Sequence, residues 1–144
     1  MFSKACEYGI RAATFLASCS ETGERKNLKQ IAEACDAPEA FTAKILQILS
    51  KEELISSIKG AFGGYEISTD KLTEIKLSHI VKAIDGDNIY KGCGLGLAQC
   101  NEKKPCPLHF QFKSIRDELK IMLESTSLWE LAHELKDGTA LLKR

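Results

Sequence analysis

The sequence lacks an excess of charge of either sign, because its 20 Lys and Arg residues are balanced by 20 Asp and Glu residues. This balance and an ordinary hydrophobic fraction of 44% exclude an intrinsically disordered chain. No apolar run approaches the roughly 20 residues of a membrane-spanning helix. No secretory signal is visible, since Thr14 and Ser18 interrupt the first apolar stretch. The length of 144 residues is typical of one globular domain. We therefore predict a cytoplasmic globular protein with reduced thiols.

The sequence also lacks the motifs of common catalytic sites. It shows no Ser/His/Asp set and no pair of carboxylates in a pocket-like context. The glycine-rich segment Gly60-Ala-Phe-Gly63-Gly64 lacks the Lys-Ser/Thr ending and the following helix of a phosphate-binding loop. We therefore expect a protein that is not an enzyme.

The six cysteines are unevenly distributed. Cys6, Cys19 and Cys35 are scattered along helical patterns, where single cysteines usually act as small buried hydrophobes. The other three share a 14-residue segment rich in Gly and Pro, and they are Cys93, Cys100 and Cys106. Clustered thiolates in a reducing compartment are soft ligands, which suit zinc or the iron of an iron–sulfur cluster.

The spacing of these three cysteines favours a group larger than a single ion. The gaps Cys-x6-Cys and Cys-x5-Cys exceed those of common structural zinc sites, and long gaps let a loop surround a cluster. A fourth ligand is then required. His109 follows in a Cys-x2-His spacing, and an acidic residue from elsewhere is the rival candidate. Two alternatives stay open, namely a metal-free thiol–disulfide switch and a zinc-stabilised winged-helix module for protein interactions.

Hydrophobic periodicity predicts a mainly α-helical fold with a small β wing. Apolar residues recur at helical spacing over residues 3–19, and two shorter helices follow over residues 28–35 and 38–51. Asn27 and Gln30 form a capping-box pattern before the second helix. Two short helices joined by a tight turn, and followed by a glycine-turned hairpin over residues 54–68, make a winged helix-turn-helix.

The second half of the chain combines a long loop with further helices. A helix over residues 72–84 precedes a loop over residues 87–106, and the longest helix covers residues 107–124. Its apolar residues recur as in a coiled-coil seam, at Phe112, Ile115, Leu119 and Met122. A last helix, residues 128–135, follows a second capping box at Ser127. We predict a DNA-binding domain over residues 1–70, and a cluster-binding loop with a helical dimerisation region over residues 71–144.

Candidate DNA contacts lie on the second helix of the helix-turn-helix and on the hairpin. The second helix reads base edges from its N-terminal turns, where we expect Thr42, Ala43 and Lys44 to be exposed. Lys59 at the hairpin tip can enter a minor groove, beside glycines that let the backbone approach DNA closely. Residues 1–70 hold 8 basic and 10 acidic residues, so a basic surface requires clustering in space. Lys4 and Lys29 belong to that possible cluster, and a winged helix that binds only proteins stays the alternative.

The wing motif and the cysteine loop together resemble the Rrf2 family of bacterial transcription regulators, which includes iron–sulfur and nitric-oxide-sensing members. The resemblance is carried by Phe41-Thr-Ala-Lys-Ile-Leu-Gln47, by Leu54-Ile-Ser-Ser-Ile-Lys-Gly60 with Gly63-Gly64-Tyr65, and by the cysteine loop ending in Cys106-Pro-Leu-His109. The order of elements agrees over nearly the whole chain. The resemblance thus adds Gly60, Gly63, Gly64 and Tyr65 to the expected DNA contacts.

The resemblance implies a homodimer, held by the long helix, whose two winged helices read a roughly palindromic site in double-stranded DNA. It also implies a [2Fe-2S] or [4Fe-4S] cluster on the loop cysteines, whose loss or modification by nitric oxide, oxygen or iron shortage changes DNA affinity. The fourth ligand is in some members the histidine after the last cysteine, here His109. In others it is a carboxylate near the N-terminus of the other subunit, here Glu7. The sequence departs from the family in a first gap of six residues, longer than is frequent, and in Ala43, where a glutamate reads bases in a known member.

Overall fold

The computed structural model describes residues 1–143 as a set of helices with one two-stranded sheet. Strands β1 (Ser56–Ile58) and β2 (Gly64–Glu66) pair antiparallel. None of the helices in this part of the chain is both long and apolar enough to cross a membrane. The predicted mainly α fold with a β wing is confirmed, and Arg144 of the predicted second region lies outside the described residues. The helices are α1 (Lys4–Cys19), α2 (Leu28–Ala34), α3 (Glu39–Lys51), α4 (Leu77–Asp85), α5 (Asn88–Lys91), α6 (His109–Ser125) and α7 (Leu128–Lys136).

Side-chain caps determine where α2 and α7 begin. The Asn27 amide oxygen accepts from the Gln30 N–H at 2.8 Å, and the Gln30 side chain accepts from the Asn27 N–H at 2.9 Å. Each bond satisfies a backbone group that the helix itself leaves unpaired. The reciprocal pattern recurs between Ser127 and Glu130 at the start of α7. Both capping boxes were predicted from the sequence, and both are confirmed.

The turn between α2 and α3 depends on a left-handed residue. Asp36 adopts a φ of 50°, a conformation that Asp tolerates better than most non-glycine residues. The following Ala37 N–H donates to the Ala32 carbonyl at 2.9 Å and so closes the C-terminal end of α2. The chain then reverses into α3, which packs on both α1 and α2. This arrangement is the predicted helix-turn-helix.

Helix α1 lies at the centre of the fold, where it packs against α3, α4 and α7. One apolar core contains buried side chains from both halves of the chain, including Leu16 of α1, Leu46 of α3, Ile80 of α4 and Leu128 of α7. Burial of such side chains is the main contribution to folding free energy. The core therefore continues across residue 70, and the functional division of the chain at that residue stays a prediction.

The start of α4 differs from the prediction, because the helix begins at Leu77 rather than at residue 72. Leu72 and Ile75 are buried as their apolar pattern suggests, but their carbonyl groups accept hydrogen bonds from the start of α7. Such long-range pairing replaces the local bonds of a helix and leaves no trace in sequence periodicity. Three backbone bonds of 3.0 Å make this connection, from Trp129 N–H to Leu72 O, from Leu128 N–H to Ile75 O and from Leu77 N–H to Thr126 O.

The segment between α4 and α6 is more ordered at its beginning than predicted. Residues 88–91 form the short helix α5 within the expected loop, and the rest of the segment up to residue 108 has no regular secondary structure. Helix α4 ends at Asp85, directly before Gly86. The long helix α6 begins at His109, so the last ligand candidate of the loop is also the first residue of that helix.

Candidate DNA-reading head and cysteine loop

The exposed side of α3 presents fewer of the predicted DNA contacts than expected. Lys44 is exposed and Ala43 is half-buried, but Thr42 is only 2% exposed. The Thr42 hydroxyl donates to the Pro38 carbonyl at 2.9 Å, so it is turned inward and satisfied within the chain. The expectation that Thr42 is exposed is therefore wrong. Gln47 is exposed one turn after Ala43, and its amide was missed as a candidate base contact.

Phe41 of α3 is only partly buried. It is 36% exposed, and its ring lies edge-on to that of Tyr8 at a centroid distance of 5.6 Å. The buried face of α3 is formed by Thr42, Ile45, Leu46 and Leu49. Phe41 thus lies at the edge of the contact between α3 and α1.

The turn of the wing has no room for side chains at two of its glycines. A Cβ atom at Gly63 would collide with the Ile58 carbonyl, and one at Gly64 would lie 2.8 Å from the Lys26 carbonyl oxygen. Gly64 also has a φ of 143°, which L side chains rarely adopt. Gly63 and Gly64, which were predicted as DNA contacts, are therefore required by the fold of the wing itself.

The wing is joined to the segment that leads into α2. Lys26 and Tyr65 exchange backbone hydrogen bonds, with N···O distances of 3.0 and 2.8 Å. The Arg25 guanidinium lies 3.3 Å from the Glu66 carboxylate, and it donates to the Phe62 carbonyl at 3.2 Å. Because residue 27 caps α2, these contacts fix the wing relative to the helix-turn-helix.

The basic residues of the reading head, residues 1–70, differ in whether an acidic side chain pairs with them. Lys29, Lys44 and Lys59 are exposed and form no ion pair with the carboxylates of residues 1–143. Lys4 instead pairs with Glu7 at 2.9 Å. Free surface cations are the groups that displace counterions from DNA phosphates. A neutral chain therefore still presents unpaired lysines on α2, α3 and the wing.

The cysteine loop lies against the first turns of α6. The Cys100 Sγ lies 3.3 Å from His109 Nδ1 and 3.4 Å from a guanidinium nitrogen of Arg116. Arg116 also donates to the Gly92 carbonyl, and the Cys106 thiol approaches that of Cys93. The structure therefore pairs Cys100 with His109 and Cys93 with Cys106, and Arg116 fastens the loop to α6. Sequence reasoning missed Arg116, because its partners are 16 and 24 residues away in the chain.

The six free thiols have contrasting electrostatic surroundings. Hydrogen bonds from the Leu95 and Leu97 backbone hold the pKa of Cys93 below its ordinary value. Burial has the opposite effect elsewhere, raising the pKa of Cys6 to about 12 and that of Cys35 to about 11. Cys6 and Cys35 are thus buried hydrophobes as predicted, whereas Cys19 is only half-buried.

His109 is the most unusual polar residue of the loop region. It is 5% exposed, and its Nε2 atom is buried with no hydrogen-bond partner among the described residues. A buried nitrogen without a partner is unfavourable unless a further group contacts it. Three thiolates and an imidazole are a donor set that fits an iron–sulfur cluster.

The four donors stand as two neighbouring pairs, Cys93 with Cys106 and Cys100 with His109. Within residues 1–143, no three Cys, His, Asp or Glu side chains converge on one metal site. Glu7 lies on α1, where the Lys4 hydrogen bond lowers its pKa. Ligation by Glu7 of another subunit stays a prediction.

The predicted dimerisation seam of α6 faces two directions. Phe112 and Leu119 are half-buried, with the Phe112 ring filling the space where a Cβ of Gly94 would be, and Leu119 packs against the core. Ile115 and Met122 are 57% and 44% exposed. They are seven residues apart and therefore lie on the same face of the helix.

The end of α4, directly before the loop segment, is connected to the start of α1. The Ser3 N–H donates to one carboxylate oxygen of Asp85 at 2.9 Å, and the Ser3 hydroxyl donates to the other. Ser3 caps α1, and Asp85 ends α4 immediately before the loop segment. The turn of α1 that carries Lys4 and Glu7 is therefore held against the point where that segment begins.

A helix-turn-helix followed by a glycine-turned wing is typical of DNA-binding transcription regulators. The comparison with protein families agrees and is more specific. The model of the Rrf2 family, described as an iron-dependent transcriptional regulator, matches residues 2–134. The chain therefore belongs to the Rrf2 family.

Individual relatives are similar over almost the whole chain at modest identity. IscR of Enterobacter sp. (strain 638) is 27% identical over 126 residues, which cover 88% of this chain and 76% of IscR. NsrR of Bacillus subtilis is 25% identical over 138 residues, which cover 95% of this chain and 93% of NsrR. The solved structure of CymR, the global cysteine regulator of B. subtilis, has a TM-score of 0.74 at 25% identity and covers 92% of this chain and 96% of CymR.

Proposed function

We propose that this Rrf2 regulator is a homodimer that reads a palindromic duplex, and that an iron–sulfur cluster on Cys93, Cys100, Cys106 and His109 adjusts its affinity for DNA. The observation that carries the proposal is the position of His109. Its buried Nδ1 lies 3.3 Å from the Cys100 sulfur, while its Nε2 has no partner among the described residues. The iron dependence in the description of the matching family model also supports it.

The route from loop to DNA is carried by residues of this chain. When bound, the cluster supplies iron that reacts with nitric oxide or oxygen. Arg116 fastens Gly92 and Cys100 to α6, and Asp85 fastens the end of α4 to the cap of α1. Helix α6 packs against α4, and α4 packs against α1. A change in the conformation of the loop would therefore be passed on to α1, against which the recognition helix α3 packs. Small shifts in head position matter because a dimer must engage two half-sites at the helical repeat of DNA.

The ligand assignment is tested by replacing the loop cysteines with Ala and purifying each protein without oxygen. We expect the variants at Cys93, Cys100 and Cys106 to lose iron, acid-labile sulfide and the visible absorption band. Cys19→Ala is the matched control, because this half-buried thiol lies outside the loop and should leave the band unchanged. A triple loop variant that stays coloured would contradict the assignment.

The fourth ligand is tested by comparing His109→Ala with Glu7→Ala. The unpartnered nitrogen of His109 leads us to expect loss of iron in His109→Ala and retention of iron in Glu7→Ala. The opposite result would assign the ligand to Glu7, and retention in both variants would exclude both residues. Thermal unfolding of the iron-free proteins shows whether either change has disturbed the fold.

A metal-free thiol switch is a second candidate, favoured by the lowered pKa of Cys93 and the proximity of Cys106. Hydrogen peroxide would oxidise the Cys93 thiolate to a sulfenic acid, and the Cys106 thiol would then displace water to form a disulfide. Two electrons pass to the peroxide in this sequence. Mass spectrometry of peroxide-treated iron-free protein tests it, with Cys106→Ser as the control. A disulfide that forms without changing DNA affinity would contradict this switch.

A further inference from the structure

The tip of the wing carries the most exposed aromatic side chain among the described residues. Phe62 is 91% exposed, compared with 62% for Phe110 and 46% for Trp129. Leaving a phenyl ring in water forfeits the favourable free energy of burying it. Single exposed apolar residues are common on protein surfaces. The exposure of Phe62 indicates a function only because the residue lies at the tip of the wing.

The wing holds Phe62 outward on a supported backbone. The Gly63 N–H donates to the Gly60 carbonyl at 3.0 Å and closes the turn around residues 61 and 62. The Arg25 guanidinium donates to the Phe62 carbonyl at 3.2 Å and also contacts Glu66 at the base of the hairpin. The main chain at the tip is therefore fixed by two contacts, while the ring itself projects into solvent.

The neighbours of Phe62 are small or basic. Gly60, Ala61 and Gly63 leave the ring as the bulky group at the tip, and the stretch from Lys59 to Tyr65 contains no acidic residue. Lys59 is exposed on the same turn. A protruding apolar group beside a cation suits a narrow groove lined by phosphates, and the minor groove of B-DNA is about 6 Å wide.

We propose that Phe62 enters the minor groove beside the site read by α3 and wedges into a base step, which bends the duplex. Apolar side chains inserted between base steps in the minor groove act in this way in architectural DNA-binding proteins. DNA is the occupant we infer because the wing continues the reading head of a DNA-binding family and its tip is free of acidic side chains. The inference rests on the DNA-binding part of the proposed function and is independent of the cluster.

The test uses the full-length protein and a duplex that the wild-type protein enriches from a random-sequence pool. Anisotropy reports affinity, and energy transfer between dyes on the duplex ends reports bending. We expect Phe62→Ala to bind about tenfold more weakly and to lose a bend of about 20° or more. Phe62→Trp keeps an apolar ring and should retain both properties. Leu141→Ala removes another exposed apolar side chain, 72% exposed, and should change neither.

A variant of Lys59 separates the contribution of its charge to binding from the contribution of the Phe62 ring to bending. Lys59→Ala should reduce the salt dependence of binding and leave the bend in place. Wild-type affinity and bending in Phe62→Ala would overturn the proposal while leaving DNA binding intact. A change of sedimentation mass in Phe62→Ala without a change in bending would assign the ring to a second copy and also overturn it. Failure of the wild-type protein to enrich any duplex would overturn the proposed function itself.

Discussion

The stability of the thiolate differs between Cys93 and the two buried cysteines, Cys6 and Cys35. Backbone hydrogen bonds lower the pKa of Cys93, whereas burial raises that of Cys6 to about 12 and that of Cys35 to about 11. Since the thiolate is the nucleophile, we expect iodoacetamide at pH 8 to alkylate Cys93 in the iron-free protein well before Cys6 and Cys35. Timed peptide mass spectrometry measures the order. Equal rates in the native protein would contradict it, and equal rates in urea are the control.

Glu53 offers a stability test at the scale of one residue. Its φ of 58° places a non-glycine residue in the left-handed region, just beyond Glu52, the C-cap of α3. A left-handed conformation is unfavourable for an L side chain by roughly 1–2 kcal/mol. We expect Glu53→Gly to raise the free energy of unfolding by about 1 kcal/mol, part of the gain being lost to the greater freedom of Gly in the unfolded chain. Urea denaturation measures it, with Glu52→Gly as a control that should destabilise.

The orientation of Thr42 was predictable from the sequence, whereas the contacts of Arg116 were not. Thr42 precedes Ile45, Leu46 and Leu49 by three, four and seven residues, so helical spacing alone places it on the buried face. Its exposure was expected because the residue type suits DNA contact, not because of its spacing. By contrast, Arg116 was beyond prediction, since only the folded loop brings Gly92 and Cys100 to it.

At the scale of elements, locally encoded features were predicted and features encoded by distant pairing were not. The capping boxes at Asn27 and Ser127 were visible because each involves residues three positions apart. The segment before Leu77 was predicted as helix, although its carbonyls bond to the start of α7. The short helix α5 was missed because four residues are too few for a periodic pattern.

The capping box of α2 provides a test at this scale. We expect Asn27→Ala to lower the free energy of unfolding by about 1 kcal/mol, because the Gln30 N–H loses its acceptor. Lys29→Ala, a change at an exposed position in the first turn of the same helix, should have little effect on unfolding in urea. If Asn27→Ala unfolds like the wild-type protein, the cap contributes nothing to stability.

For the whole molecule, the exposed apolar residues of α6 bear on the proposed dimer. Ile115 and Met122 share one face, and about half of each side chain is exposed in a single chain. We expect Ile115→Glu with Met122→Glu to give a monomer in sedimentation, because the charges oppose burial of that face. Affinity for a palindromic duplex should fall by about a hundredfold or more, since the second head no longer binds at high effective concentration.

A matched change on the same helix controls for charge alone. Ser114→Glu places one carboxylate at an exposed position next to Ile115 and should leave the sedimentation mass unchanged. A dimer that persists in the double variant would exclude this face of α6 as the interface and would point to other exposed apolar residues, such as Ile121 at 67% exposure.

The backbone bridge between Lys26 and Tyr65 has a consequence for building hybrid regulators. A hairpin transplanted alone from a relative would lack the segment that pairs with it in that relative. Its glycine turn would pack against the Lys26 carbonyl of this chain instead. Specificity grafts should therefore exchange residues 25–27 and 56–66 together. Natural divergence of operator preference in this lineage would be expected to alter both stretches in step.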